Sequence, residues 1–164
     1  MKFRFCPECG AELIGRAIGD EGEIPFCENC GRPWFSFSYP CVICLLTDGE
    51  GKYALIRQTY ATKNYVCVAG FIREQETAEQ TAIREVHEET GLEVQNIRCL
   101  GSWYYPKHDN LMIGFVCRVG HGEFRLSENE VQSAGWFDES TAVELLSHGT
   151  IGKELIKKWI EIRG

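Results

Sequence analysis

Residues 70–92 read GFIREQETAEQTAIREVHEETGL, and the rest of the chain is organised around this stretch. Seven carboxylates lie from Glu74 to Glu93. Three of them, Glu85, Glu88 and Glu89, recur at helical spacing. A helix turns once in about 3.6 residues, so side chains three and four apart share a face. Like charges on one face repel and destabilise a helix that has no counter-charge. A hard cation such as magnesium relieves this, because it takes oxygen ligands from a few carboxylates and keeps some of its waters. Arg84 stands beside Glu85 and four residues before Glu88, placed to hold a carboxylate in a bidentate fork. Ala82, Ile83 and Val86 supply an apolar face for packing.

A solvated acidic helix with surface ion pairs has the same composition. The flanks narrow the choice. Gly91 suits a left-handed helix end. The apolar run 65–69, YVCVA, leads into Gly70 as a strand, whose last carbonyls fall where one can ligate a metal beside the carboxylate helix. Strand, glycine turn, short loop, acidic helix and glycine together form a specific combination.

Gly70, Glu76, Arg84, Glu85, Val86, Glu88, Glu89, Gly91 and Leu92 occupy nine constrained positions with fixed gaps. In these the segment resembles the signature of the Nudix hydrolases. The resemblance implies hydrolysis of a nucleoside diphosphate linked to another moiety, with magnesium or manganese. It implies that Glu85, Glu88 and Glu89 hold the ions, with Glu76 as an addition and Gly70 contributing its carbonyl. Arg84 is assigned to orienting a carboxylate.

The chain has 164 residues, 44% of them hydrophobic and 25% charged, with a formal net charge of -7. That length holds one core of ordinary size plus a small appendage. The acidic balance argues against a large non-specific nucleic-acid surface, leaving a capped RNA end as the exception. No apolar run reaches the roughly 18 residues of a membrane span. The opening MKFRFCPECG carries no signal-peptide core, so a cytoplasmic location is expected. A homodimer is left open.

Nine cysteines, at 6, 9, 27, 30, 41, 44, 67, 99 and 117, make an odd count that suits no disulfide framework. Cys6, Cys9, Cys27 and Cys30 form two CxxC-Gly knuckles separated by seventeen residues. Four thiolates in two such turns supply a tetrahedral zinc site, structural because no position is left for water. Residues 1–36 have few large apolar side chains, so a metal is needed to fold them. The alternative is a pair of redox dithiols. Trp34, Phe35, Phe37 and Tyr39 follow, a row that suits either a packing seam or base stacking.

Residues 41–47 read as a buried strand, on which Cys41 and Cys44 point to opposite faces. Residues 48–51 form a hairpin turn and 53–57 the returning strand, with Arg57 at its end facing a phosphate or solvent. Residues 58–64 form a polar loop of lid character. Ala69-Gly70-Phe71 resembles the NADH pyrophosphatase subgroup, in which the aromatic stacks on a base. Residues 94–100 are a further strand. Trp103, Tyr104 and Tyr105 follow in a loop-like setting, placed to clasp a base or nicotinamide ring. The subgroup's aromatic motif is half kept: Ser102, Trp103, Pro106 and Leu111-Met112 are present, its Gln-Pro is missing, and four residues separate Pro106 from Leu111. Arg73 departs from the subgroup too, as a phosphate contact or a surface residue. Residues 111–119 are a strand, and 124–126 a short one. Glu130 to Phe137 resembles another family segment, by which Glu130 adds a carboxylate to the metal cluster. Ser140 and Thr141 suit a helix cap, and Thr150 caps the last helix.

The expected architecture is a zinc ribbon over 1–36 before an α/β Nudix domain over 37–164, a mixed sheet sandwiched by helices. The expected reaction is attack of water on a pyrophosphate phosphorus. The leading substrate is an adenine dinucleotide such as NADH or NAD+; ADP-ribose or another nucleotide-linked pyrophosphate is the alternative. Phe71, Trp103, Tyr104, Tyr105, Arg57 and Arg73 are the candidate substrate contacts. A zinc-ribbon module that senses a nucleotide, or binds nucleic acid, without turnover is the competing class.

Overall fold

The computed structural model describes residues 3–59 and 64–163. Residues 60–63, within the loop read as a lid, lie outside the described residues. The chain divides into two compact units, Met1–Tyr39 and Pro40–Gly164.

In the first unit, strands β1 (Ile14–Ala17), β2 (Glu23–Cys27) and β3 (Arg32–Pro33) form an antiparallel sheet. Among its described residues only Cys6, Phe26 and Cys27 are buried. The arginines supplement this small interior by lying on rings: the Arg16 guanidinium sits 3.6 Å from the Phe26 centroid and that of Arg32 4.6 Å from Trp34. Phe3 packs on Trp34 and Phe37.

The second unit is a mixed α/β sandwich. Its strands are β4 (Tyr39–Thr47), β5 (Lys52–Gln58), β6 (Val68–Phe71), β7 (Val94–Tyr105), β8 (Asn110–Val119) and β9 (Val131–Asp138). They run in the order β7-β8-β4-β5-β9, with β6 pairing β4 beside that path. The helices are α1 (Ala78–Thr90), α2 (Glu139–Leu145) and α3 (Ile151–Arg163). Strand alternation builds the two layers. Cys41, Ile43 and Leu45 of β4 join Leu146, Leu155 and Ile156 on one side. Val42, Cys44 and Leu46 join Ala82 and Val86 of α1 on the other. Cys41 and Cys44 are thus buried on opposite faces, as the period of two requires.

Asp48 closes the β4–β5 hairpin by accepting from the amides of Glu50 at 2.7 Å and Lys52 at 2.9 Å. Helix α1 starts at a reciprocal cap: Thr77 accepts from the Gln80 amide and the Gln80 side chain accepts from the Thr77 amide. It ends at Gly91 with φ 70.

The structure corrects several expectations. The strand before Gly70 starts only at Val68 and runs through Gly70 to Phe71, because its partner is β4, register Val42↔Gly70. Residues 103–105 are no loop: β7 continues to Tyr105, held by β8 in the register Trp103↔Met112 and Tyr105↔Asn110. Residues 124–126 lie outside every strand. Asp138, rather than Ser140 or Thr141, caps α2, accepting from the Thr141 amide at 2.9 Å. Thr150 does cap α3, accepting from the Lys153 amide at 3.3 Å. Ile83 is exposed. It sits about 100° around the helix from Ala82, on the side away from Thr81, so of these three apolar residues Ala82 and Val86 are the buried ones.

Candidate functional site

The acidic site is built where the end of β6 passes the middle of α1. Gly70 lies against the Glu85 carboxylate so closely that a methyl group on its Cα would overlap it. Only glycine lets the strand and this carboxylate meet. Arg84 is the hub. Its Nε donates to Glu76 Oε1 at 2.6 Å and its Nη2 to Glu76 Oε2 at 2.8 Å, the two-pronged fork that matches guanidinium to carboxylate. Its Nη1 donates to Glu85 Oε1 at 2.6 Å and Glu88 Oε2 at 3.0 Å. Its Nη2 also reaches the Phe71 carbonyl at 3.2 Å. Thr81 donates a third side-chain bond to Glu76, at 2.9 Å. Arg84 with Thr81 holds the Glu76 carboxyl down at about 2. The exposed Arg73 pairs with Glu88 at 3.3 Å.

Glu89 stands outside this network. It is 3% exposed, and its Oε2 has no hydrogen-bond partner among the described residues. Burial, then the charges of Glu85, Glu130 and Glu88, raise its carboxyl to about 8. Burial also raises Glu85. The three carboxylates that share a helix face therefore differ in setting: Glu88 is exposed, Glu85 half-buried and Glu89 inside. Arg84 supplies the counter-charge for Glu76, Glu85 and Glu88; among the described residues Glu89 has none. Carboxylate oxygens are the donors a hard divalent cation takes, but those of Glu85, Glu88 and Glu89 do not all come within 4.8 Å of one another here. Glu130 precedes β9 and accepts from Ser127 Oγ at 3.4 Å.

Among the described residues, only Cys6, Cys9, Cys27 and Cys30 bring three or more such donor atoms within 4.8 Å of one another. Cys6 and Cys30 sulfurs lie 3.8 Å apart and those of Cys9 and Cys27 3.5 Å. Tetrahedral Zn–S bonds imply sulfurs about 3.8 Å apart. The Cys30 amide donates to Cys27 Sγ at 3.4 Å. The sulfurs of Cys9 and Cys27 push the Cys30 thiol up, because clustered thiolates need a cation to ionise together. These four residues can hold one metal ion.

The aromatic candidates do not converge. Phe71 is exposed at the end of β6. Trp103 and Tyr105 face the α3 side of the sheet and pack on its core, while Tyr104 is exposed on the opposite face. Alternation on β7 separates them, which removes the three-ring clasp expected of a loop. Arg57 lies over the Tyr65 ring at 4.3 Å, its Nε buried without a partner among the described residues.

A cleft of about 720 Å³ opens on the α2–α3 side, lined by Tyr65, Ala69, Tyr105, Lys107, His108 and the segment 149–152, among others. Ala69 lines this cleft while its neighbour Gly70 touches Glu85, so β6 borders both. Tyr65, Lys107 and His108 were not legible as site residues, since only the strand pairing brings them together. The Thr77–Gln80 cap was legible, as Thr-x-x-Gln ahead of an apolar-periodic run.

The NUDIX domain family matches residues 38–159, and the chain belongs to it. The NAD-capped RNA hydrolase NudC of Pasteurella multocida is 34% identical over 164 residues, covering 97% of this chain and 60% of that protein. The same-named protein of Vibrio atlanticus is 31% identical over 164 residues, covering 98% and 59%. The chain thus spans roughly three-fifths of the length of these curated relatives. Among solved structures, a NUDIX hydrolase from Nitrosomonas europaea superposes with a TM-score of 0.77 at 24% identity, covering 99% of this chain and 92% of that one. The NUDIX domain of Shewanella oneidensis NrtR, crystallised with ADP ribose, gives 0.69 at 16% identity, covering 85% and 94%. No helix among the described residues is long and apolar enough to cross a membrane.

Proposed function

We propose that the chain hydrolyses the pyrophosphate bond of a nucleoside diphosphate linked to another moiety, with an adenine dinucleotide such as NADH or NAD+ as the leading substrate. The observation that carries this reading is Glu89, a buried carboxyl raised to about 8 with one oxygen unpartnered, set beside Glu85 and Glu88. Strongly perturbed buried acids cluster where protons or cations are handled. Glu85, Glu88 and Glu89, with Glu130 and the Gly70 carbonyl, would hold magnesium or manganese. Such an ion, when bound, polarises phosphoryl oxygens and makes a nearby water more acidic. Arg84 orients the carboxylates, and its own five donors are spent on them and on Phe71. Glu76 belongs with Arg84 as a positioning residue. Phe71, exposed at the end of β6, would contact a base, and Arg57 and Arg73 a phosphate. The cysteine cluster takes a structural zinc, completing a small zinc ribbon. A capped RNA end is a further substrate of the same chemistry, and a homodimer is compatible with it.

ADP-ribose is the second reading, favoured by the separation of Trp103, Tyr104 and Tyr105, which leaves no aromatic clasp for a second ring. Product chromatography tests both. The purified chain is incubated with Mg²⁺ or Mn²⁺ and a mixture of NADH, NAD+, ADP-ribose, FAD and diadenosine polyphosphates. Glu88→Gln should lower turnover by about 10²-fold or more. Equal, metal-independent rates in both proteins would overturn the proposal; tight nucleotide binding without any turnover would identify a sensor instead.

A further inference from the structure

The cleft on the α2–α3 side has a charge pattern at odds with the rest of the chain. The protein carries a net charge of -7, yet among the described residues no aspartate or glutamate lines this cleft. Among the described residues its two side chains able to carry positive charge, Lys107 and His108, come from the turn between β7 and β8. Neither forms an ion pair among the described residues. The turn also sorts its charges. Asp109, next in sequence and at φ 55, accepts from the Tyr104 hydroxyl at 3.1 Å. Tyr104 belongs to the opposite face of β7, and Asp109 itself does not line the cleft. The walls are suited to a nucleoside. Tyr65 is braced between Phe137, at 4.8 Å between centroids, and the Arg57 guanidinium at 4.3 Å. The Tyr105 and His108 rings lie 5.6 Å apart. Asn64 and Ser147 join across the rim at 3.0 Å, and Ile43, Met112 and Leu146 supply apolar surface.

We propose that Lys107 and His108 are specificity-determining residues that receive a phosphate on the ribose of a nucleoside seated in this cleft, a phosphate additional to the pyrophosphate that is cleaved. Charge-assisted bonds from an ammonium and an imidazole to a phosphate are strong where no carboxylate competes. Two substrates carry such a group: a dinucleotide phosphorylated at the 2′-hydroxyl, and a nucleotide-capped RNA whose chain continues from the 3′-hydroxyl. The assignment rests on the pyrophosphohydrolase reading for its biological substrate, but its test requires no turnover.

The test is calorimetric titration of the full chain, without divalent metal, by AMP, adenosine 2′,5′-bisphosphate and adenosine 3′,5′-bisphosphate. Wild type is compared with the double variant Lys107→Gln/His108→Gln, whose fold is checked by its thermal transition. One bisphosphate should bind about 10-fold tighter than AMP, and the double variant should lose that advantage. Preference for the 2′ isomer identifies the phosphorylated dinucleotide, and preference for the 3′ isomer the RNA end. Equal binding of all three, no measurable binding of any, or an advantage that survives in the double variant overturns the assignment. Loss of the hydrolase reading is separable: no dinucleotide would be turned over, while the bisphosphate advantage persisted.

Discussion

The two units of this chain solve the same problem with different materials. Residues 3–39 bury Cys6, Phe26 and Cys27 and little else. Residues 40–163 bury two apolar layers, one on each face of a six-stranded sheet. Apolar area contributes about 25 cal/mol per Å² when removed from water, which the larger unit can collect and the smaller cannot. A structural metal in the cysteine cluster, as proposed, would substitute for a core, since its binding free energy becomes folding free energy. The difference also separates the chemistry. Cysteine sulfurs close one cluster completely, whereas the acidic site leaves a carboxyl oxygen open.

The largest effect should come from breaking the cluster. Cys27→Ser removes a buried sulfur, so bound zinc measured by atomic absorption should be lost and proteolysis should become rapid within 3–39. Leu55→Ala is the converse. It should lower stability by about 2–5 kcal/mol with zinc content retained. If Cys27→Ser left the small unit protease-resistant, the contrast drawn here would be wrong.

Gly70→Ala comes next. Its methyl group must displace the Glu85 carboxylate that Arg84 holds, so activity should fall by roughly 10-fold or more with little change in melting temperature. Wild-type kinetics in this variant would mean that the close approach of β6 and α1 does not position Glu85.

Proton linkage gives a smaller, signed effect. Glu89 is raised to about 8 from an ordinary value of 4.5, chiefly by burial. The folded state then holds a proton that the unfolded state releases. This contribution is complete below about pH 4.5 and is lost as pH rises toward 8. Glu76 has the opposite sign. Its carboxyl is lowered to about 2 by Arg84, so its contribution is present above pH 4.5 and lost as pH falls toward 2. Metal-free protein should melt roughly 5 °C lower at pH 8.5 than at pH 5, and Glu89→Gln should flatten that slope. A melting temperature that rose over this interval would contradict the burial of Glu89.

The smallest effect belongs to Ile83, which is exposed on α1 despite its place in the apolar-looking run. Ile83→Ser should change stability by no more than about 0.5 kcal/mol, whereas Val86→Ser, inside the same helix, should cost several times more in denaturant unfolding. Equal effects would mean the helix is rotated from its described position.

Much of the local structure was legible because it is local. The spacing of the two cysteine pairs, the glycine closing α1 and the hairpin at Asp48 each depend on a few neighbouring residues. The opposite orientation of Cys41 and Cys44 follows from strand period alone. What misled was context. Trp103, Tyr104 and Tyr105 look like a loop cluster until β8 is laid beside them, and Ile83 looks buried until the angle to Ala82 is counted.

By itself, the sequence determined the class of fold, the acidic helix and the sulfur cluster, since periodicity and ligand spacing are properties of short segments. Only the tertiary structure decided which carboxylate is buried, that Arg84 neutralises three others, and that Tyr65, Lys107 and His108 share a cleft. Burial and electrostatic coupling depend on segments distant along the chain, and these meet only when the sheet is assembled.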